Sequence, residues 1–193
     1  MDFKNYIPNR ALPQIKKWIT ELNIDIRFVN PRKTKLGDYQ FRNSRHFITV
    51  NNNLNKYAAL ITLTHEIAHA FTFAEFGKTI KPHGIQWKEN FKKLMLSFFD
   101  YNIFPDEVLC ALSRHLINPS ASTTNDEFLS LTLRNYDSEI SLSISEINYG
   151  DEFTYSGKKY IKYQKMRKRI KCLNLDNNRI YLFNPITQIK KND

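Results

Sequence analysis

The sequence predicts an α+β fold, with helices packed on a small β-sheet and a small C-terminal β module behind them. Three observations carry this. Apolar residues recur at helical spacing in four segments before residue 118. Short alternating runs lie between the first two of these segments. After residue 118 the texture changes to small polar residues and then to short strand-like runs.

The first helical segment is "IPNRALPQIKKWITELN", with Ile7, Leu12, Ile15, Trp18, Ile19 and Leu22 on one side and an end near Asn23. "IDIRFV" alternates Ile24, Ile26 and Phe28 inward as a half-buried strand. "KTKLGDYQF" and "RHFITV" read as two further strands joined at Asn43-Ser44. A long helix is expected from about Asn55 to Phe76, stopped by Gly77. "GKTIKPHG" is a loop, because Gly and Pro punctuate it. Helices over Ile85–Phe99 and "PDEVLCALSRHLI" follow, the latter with Pro105 at its start. These elements make a first domain over 1–118. Residues 119–144 read as a linker with a possible short helix, and 145–193 as a small basic β domain with hairpin turns at Ser156-Gly157 and Asn177-Asn178.

With 193 residues, 41% of them hydrophobic, the chain can bury a sizeable core. No apolar run approaches the roughly 18 residues of a membrane span. The start, "MDFKNYIPNR", has no apolar signal core, so a cytoplasmic protein without a membrane partner is expected. The two cysteines, Cys110 and Cys172, stand 62 positions apart, which excludes a disulfide framework or a zinc ribbon built from paired cysteines. The net charge of +10 favours anionic partners, nucleic acid above all.

The chemistry concentrates in "ITLTHEIAHAFTFAEFGKTIKPHGIQW", residues 61–87, which holds three of the five histidines. On a helix, i and i+4 share a face, so His65 and His69 can bind one zinc ion through nitrogen. Glu66 is turned about 100° from His65, placed to take the proton of an attacking water rather than to ligate. A third ligand is needed. The position six residues after His69, where one protease class keeps a histidine, is Glu75. Glu89 on the next helix could serve, but His83 in the loop matches a three-histidine site better. His46 and His115 are expected to be ordinary packing or surface residues.

The stretch "KLGDYQF…HFITVNNNL…LITLTHEIAHAFTFAEFGKTIKPHGIQWKENFKKLM" resembles the SprT family, which includes the Spartan DNA–protein crosslink proteases. The resemblance covers about residues 10 to 115. It is carried by Leu36-Gly37, by Ile48 and then Leu54, by the HExxH, and by His83-Gly84 with Trp87. It implies a zincin-type metalloprotease core, one Zn2+ per chain held by His65, His69 and His83, and Glu66 as general base. Many relatives continue into a cysteine-rich zinc ribbon, which two lone cysteines cannot make; the basic β domain stands in its place.

Eight cations and no acid lie between Lys158 and Lys171: Lys158, Lys159, Lys162, Lys165, Arg167, Lys168, Arg169 and Lys171. They are the candidate nucleic-acid contacts. Tyr155, Tyr160 and Tyr163, interleaved with them, are expected in the interior of so small a domain. The resulting expectation is a monomeric zinc-dependent peptidase acting on protein substrates bound or crosslinked to DNA, with sequence-independent or single-stranded DNA as partner. Two other readings stand beside it: a nucleic-acid-binding protein with a structural zinc site, and a general cytosolic metallopeptidase.

Overall fold

The computed structural model describes residues 3–32, 34–99, 102–138 and 141–191. The chain divides into two compact units, Met1–Asp137 and Ser138–Asp193.

In the first unit, helix α1 (Leu12–Leu22) buries Leu12, Ile15 and Trp18, and Asn23 ends it in the left-handed conformation that asparagine tolerates. Strand β1 (Ile24–Val29) buries Ile24 and Ile26 on one face. Strands β2 (Gly37–Arg42) and β3 (Arg45–Asn51) form a hairpin across Asn43 and Ser44, whose φ values of 49° and 55° suit a two-residue turn. β1 pairs parallel and β2 antiparallel with β3, in the order β1-β3-β2, so β2 is an edge strand.

Helix α2 (Lys56–Phe76) starts at Asn55, whose side chain accepts from the N–H groups of Tyr57 and Ala58. Every residue from Ala59 to Ala68 is buried. A helix covered on all sides is the centre of its unit rather than a surface element. Gly77, at φ 73°, stops it. Helix α3 (Ile85–Leu96) buries Trp87, Phe91, Leu94 and Met95 and is shorter than the sequence suggests: Phe98 packs from beyond its end. Helix α4 (Asp106–Ile117) follows Pro105, which occupies the cap position.

Most of the stretch expected as a linker with a possible short helix, the residues up to Asp137, belongs to the first unit. Helix α5 (Glu127–Arg134) inserts Leu129 and Leu133 into the main core. Asp126 caps it by accepting from the Leu129 N–H and pairs with the buried His115 at 2.9 Å. Asn55 Nδ2 donates to the Leu133 carbonyl, tying α5 to the start of α2. The polar residues that resembled linker are working as caps and turn partners: Ser130 Oγ donates to the Thr123 carbonyl and Ser120 Oγ to that of Ser122.

The second unit is a five-stranded sheet in the order β7-β6-β5-β4-β8, built from β4 (Glu152–Tyr155), β5 (Lys158–Lys165), β6 (Ile170–Asn174), β7 (Ile180–Phe183) and β8 (Lys190–Lys191). The Ser156-Gly157 turn joins β4 to β5 with both φ values positive. The Asn177-Asn178 pair lies in a longer connection, where the Asn174 side chain accepts from the N–H groups of Asp176 and Asn177. A separate core holds Ile144, Ile147, Phe153, Tyr160, Ile170, Cys172, Phe183 and Ile189. No helix among the described residues is long and apolar enough to cross a membrane.

Candidate metal centre

β2 runs alongside α2, and two strand residues advance about as far as four helical ones. This match sets Gly37 beside Glu66, Tyr39 beside His69 and Phe41 beside Phe73. The segment before β2 is fixed by Arg32, whose guanidinium donates to Asn51 Oδ1 at 3.0 Å and to Thr49 Oγ1 at 2.9 Å. Asn51 in turn donates to the carbonyls of Arg32 and Lys35.

His65 and His69 lie one turn apart on α2, and His83 reaches them from the loop before α3. His83 Nε2 is 3.1 Å from His65 Nε2 and 3.0 Å from His69 Nε2. Tetrahedral ligands about 2.0–2.1 Å from an ion lie about 3.3–3.4 Å apart, so these nitrogens are spaced for one ion. No other group of three ligand-type side chains among the described residues converges in this way. Glu89 is exposed on α3, and Glu75 accepts from Asn90 Nδ2 instead.

The loop that brings His83 in has a specific shape. Gly84 N–H donates to the Lys81 carbonyl at 3.0 Å, closing a turn with Pro82 and His83 in the middle. Proline first and a positive φ second is the type II pattern, and His83 sits at φ 59°. That conformation costs a residue with a Cβ about 1–2 kcal/mol. A Cβ on Gly84 would stand 2.9 Å from the Lys81 carbonyl oxygen, so the glycine is needed for the closure. Trp87, wholly buried, forms the floor beneath all three rings: its centroid is 4.5 Å from His65, 5.3 Å from His69 and 4.7 Å from His83. The His-Gly-x-x-Trp spacing thereby has a physical explanation.

Burial, with the neighbouring imidazoles adding to it, drives the pKa of His65 down to about 2 and that of His69 to about 3. Burial lowers His83 as well. The three rings are therefore neutral near pH 7, the form that offers a lone pair to a metal. Glu66 moves the other way. Burial, then the Asp38 charge, pushes its carboxyl up to about 8, against the pull of Arg32 and Lys35. A group poised near neutrality can both accept and donate a proton. It lines a cleft of about 160 Å³ with Lys35, Gly37, Thr62, His65 and the 121–123 segment.

Gly37 is what lets the strand pass Glu66. A Cβ there would meet Glu66 Cγ at 2.8 Å and Thr62 Cγ2 at 2.9 Å. Gly37→Ala is expected to push the carboxylate aside. For a chain that cleaves peptides, as the resemblance implies, the expected result is a kcat lower by about 10- to 100-fold, the scale of a misplacement near 1 Å, with metal content and KM held. Parallel kinetics and metal analysis check it; unchanged kcat would mean the side chain has room to yield.

The other predicted histidines do pack: His46 is buried and its Nδ1 meets the Tyr39 hydroxyl at 2.9 Å, and His115 is buried beside Asp126. Of the candidate nucleic-acid contacts, Lys162 is a correction. It is buried in the second unit, donating to the Ile147 carbonyl at 2.6 Å, because its position on β5 faces the interior with Tyr160. Lys158 and Lys159 are exposed at one end of β5; Lys165, Arg167, Lys168 and Arg169 are exposed at the other, with Lys171 half-buried on β6. Seven strand residues separate the two ends by about 23 Å. The tyrosines divide as well: Tyr160 is in the core, while Tyr155 and Tyr163 are exposed. The sequence offered no signal for the 121–123 segment in the cleft wall.

Two imidazoles from α2 and one from the loop before α3, converging beside a buried carboxyl group, form an arrangement that could hold a divalent metal ion. The SprT-like family model matches residues 10–106, 97 of the 193 residues, and the chain belongs to that family. The family is associated with zinc metallopeptidase activity. No curated protein and no solved structure matches the chain.

Proposed function

We propose that the chain is a zinc-dependent peptidase with a zincin-type core, acting on proteins bound or crosslinked to DNA. The observation that carries the peptidase reading is the convergence of His65, His69 and His83 beside the buried Glu66 in an open cleft. The donor set, three neutral nitrogens and no thiolate, fits a catalytic zinc ion, one per chain. Bound there, zinc would supply Lewis-acid polarisation of the scissile carbonyl and a lowered pKa for water.

The residues of the chain do the rest. Trp87 and the type II turn hold the imidazoles in place. Glu66 takes the proton of the attacking water and passes it to the departing amine. Its low-dielectric surroundings favour the protonated carboxyl, so the carboxylate is a stronger base for the first transfer than an exposed one would be. A structural site would have no use for an acid at this position, which favours a peptidase over a metal-stabilised binding protein.

The DNA-directed part rests on family membership and on the exposed cations of the second unit. Lys165, Arg167, Lys168 and Arg169 gather around the β5–β6 turn, with the exposed Tyr163 nearby in sequence as a stacking surface for an unpaired base. Phosphate contacts are independent of sequence, and each contributes close to one unit of log–log salt slope. Changing Arg167, Lys168 and Arg169 together to glutamine is expected to weaken DNA binding for all sequences alike and to flatten its salt dependence. Zinc content and cleavage of a short free peptide should stay as they are. Binding titrations at several salt concentrations check this; identical slopes and affinities would leave the cations as a solvated face. Cleavage of a DNA-bound protein with and without its DNA tests the whole reading.

A further inference from the structure

A second cleft opens on the His69 side of the cluster. Its volume is about 220 Å³. Tyr39, Phe73, Ile80, Pro82 and Trp87 supply its apolar wall, and His69 belongs to that wall, so the space begins at the metal centre itself. Tyr39 is held firmly: its ring lies parallel to His69 at 6.1 Å and its hydroxyl is engaged by His46. Among the described residues, the charged side chains in the lining are Lys78 and Lys81, both exposed, and no acid is among them. The Glu66 cleft differs, being lined by Thr34, Thr62, Ser122 and Thr123 as well as the acid.

We propose that this apolar cleft is a specificity pocket that receives a large apolar side chain of the substrate close to the bond that is cut, and that it disfavours lysine and arginine there. The proposal rests on the peptidase reading. An apolar cavity of about 150 Å³ accepts benzene, so the space here suffices for a phenyl, indole or leucine side chain. Filling it removes apolar surface from water on both partners. A cationic side chain would face Lys78 and Lys81 with no counter-charge in the wall. Because both lysines are exposed, that repulsion is screened by salt, whereas the apolar preference is not.

The test uses the full chain with its metal and an unstructured protein substrate, with every cut site sequenced. The expected result is enrichment of Phe, Tyr, Leu or Trp at one fixed position relative to the cut, and depletion of Lys and Arg that lessens at high salt. Ile80→Trp, which fills the space, should shift the preference to small residues by about 10-fold or more in kcat/KM, the scale on which apolar pockets discriminate. Ile80→Ala should instead favour the bulkiest side chains, and it serves if the tryptophan variant does not fold. Cutting with no residue enriched at any fixed position, or a preference that neither change at Ile80 moves, would overturn the pocket and leave the peptidase standing. A fully metal-loaded wild type that cuts nothing would overturn both.

Discussion

Glu66→Gln gives a folded, metal-loaded protein whose peptide cleavage is lower by at least about 100-fold, the scale of a lost general base. Glutamine keeps the shape of the side chain in a site where Gly37 and Thr62 leave little spare room. It removes only the ability to take a proton. A separate readout isolates the same group in metal-free protein. There the folded-state pKa of Glu66 is raised to about 8 from an ordinary 4.5. Between these values the folded state binds more protons than the unfolded state, so stability falls as pH rises. The contribution of Glu66 is fully present below the ordinary value and is lost as pH climbs through about 8. Glutamine does not titrate. In the presence of chelator the variant should therefore gain in melting temperature on the wild type from pH 5 to pH 9. Undiminished cleavage would remove Glu66 as the base; melting curves that run parallel over that range would contradict its burial.

His83→Asn separates the proposed ligand from its loop. Asparagine tolerates the left-handed backbone that His83 adopts at φ 59°, so the turn can persist while the imidazole is lost. Metal affinity is expected to drop by more than the about 10- to 100-fold typical of losing an outer partner, because a direct ligand is gone. His65→Ala and His69→Ala should abolish binding. Glu89→Ala, on the exposed face of α3, should leave one ion per chain. Metal analysis after dialysis reads all four. If the Glu89 change strips the metal and the His83 change does not, the ligand set is wrong.

Much of this unit could be read from the chain because local chemistry and tertiary packing agree there. Asn55 and Gly77 mark both ends of α2, Asn43-Ser44 marks the hairpin, and the i, i+4 spacing of His65 and His69 fixes their common face. What stayed hidden depends on contacts distant in sequence. Ser and Thr around 120–125 have the composition of a linker, and only the packing of Leu129 and Leu133 against the core reveals that this stretch walls the cleft beside Glu66. Lys162 looked like its neighbours in a cationic run, but strand alternation turns it inward onto the Ile147 carbonyl. Alternation was visible in the sequence; which parity faced the core was not. Gly37 likewise had no local need for glycine, since the demand comes from Glu66 on another element.

The central claim is that this centre performs metal-dependent peptide hydrolysis. Its most direct test is cleavage of an unfolded protein substrate by the chain as purified, after removal of metal, and after return of one equivalent of zinc, with Glu66→Gln carried alongside. The expected result is cleavage that disappears with the metal, returns with zinc, and is absent in the fully loaded variant. Cleavage by the wild type that survives complete metal removal, or a zinc-loaded wild type that is as inert as Glu66→Gln, would contradict it.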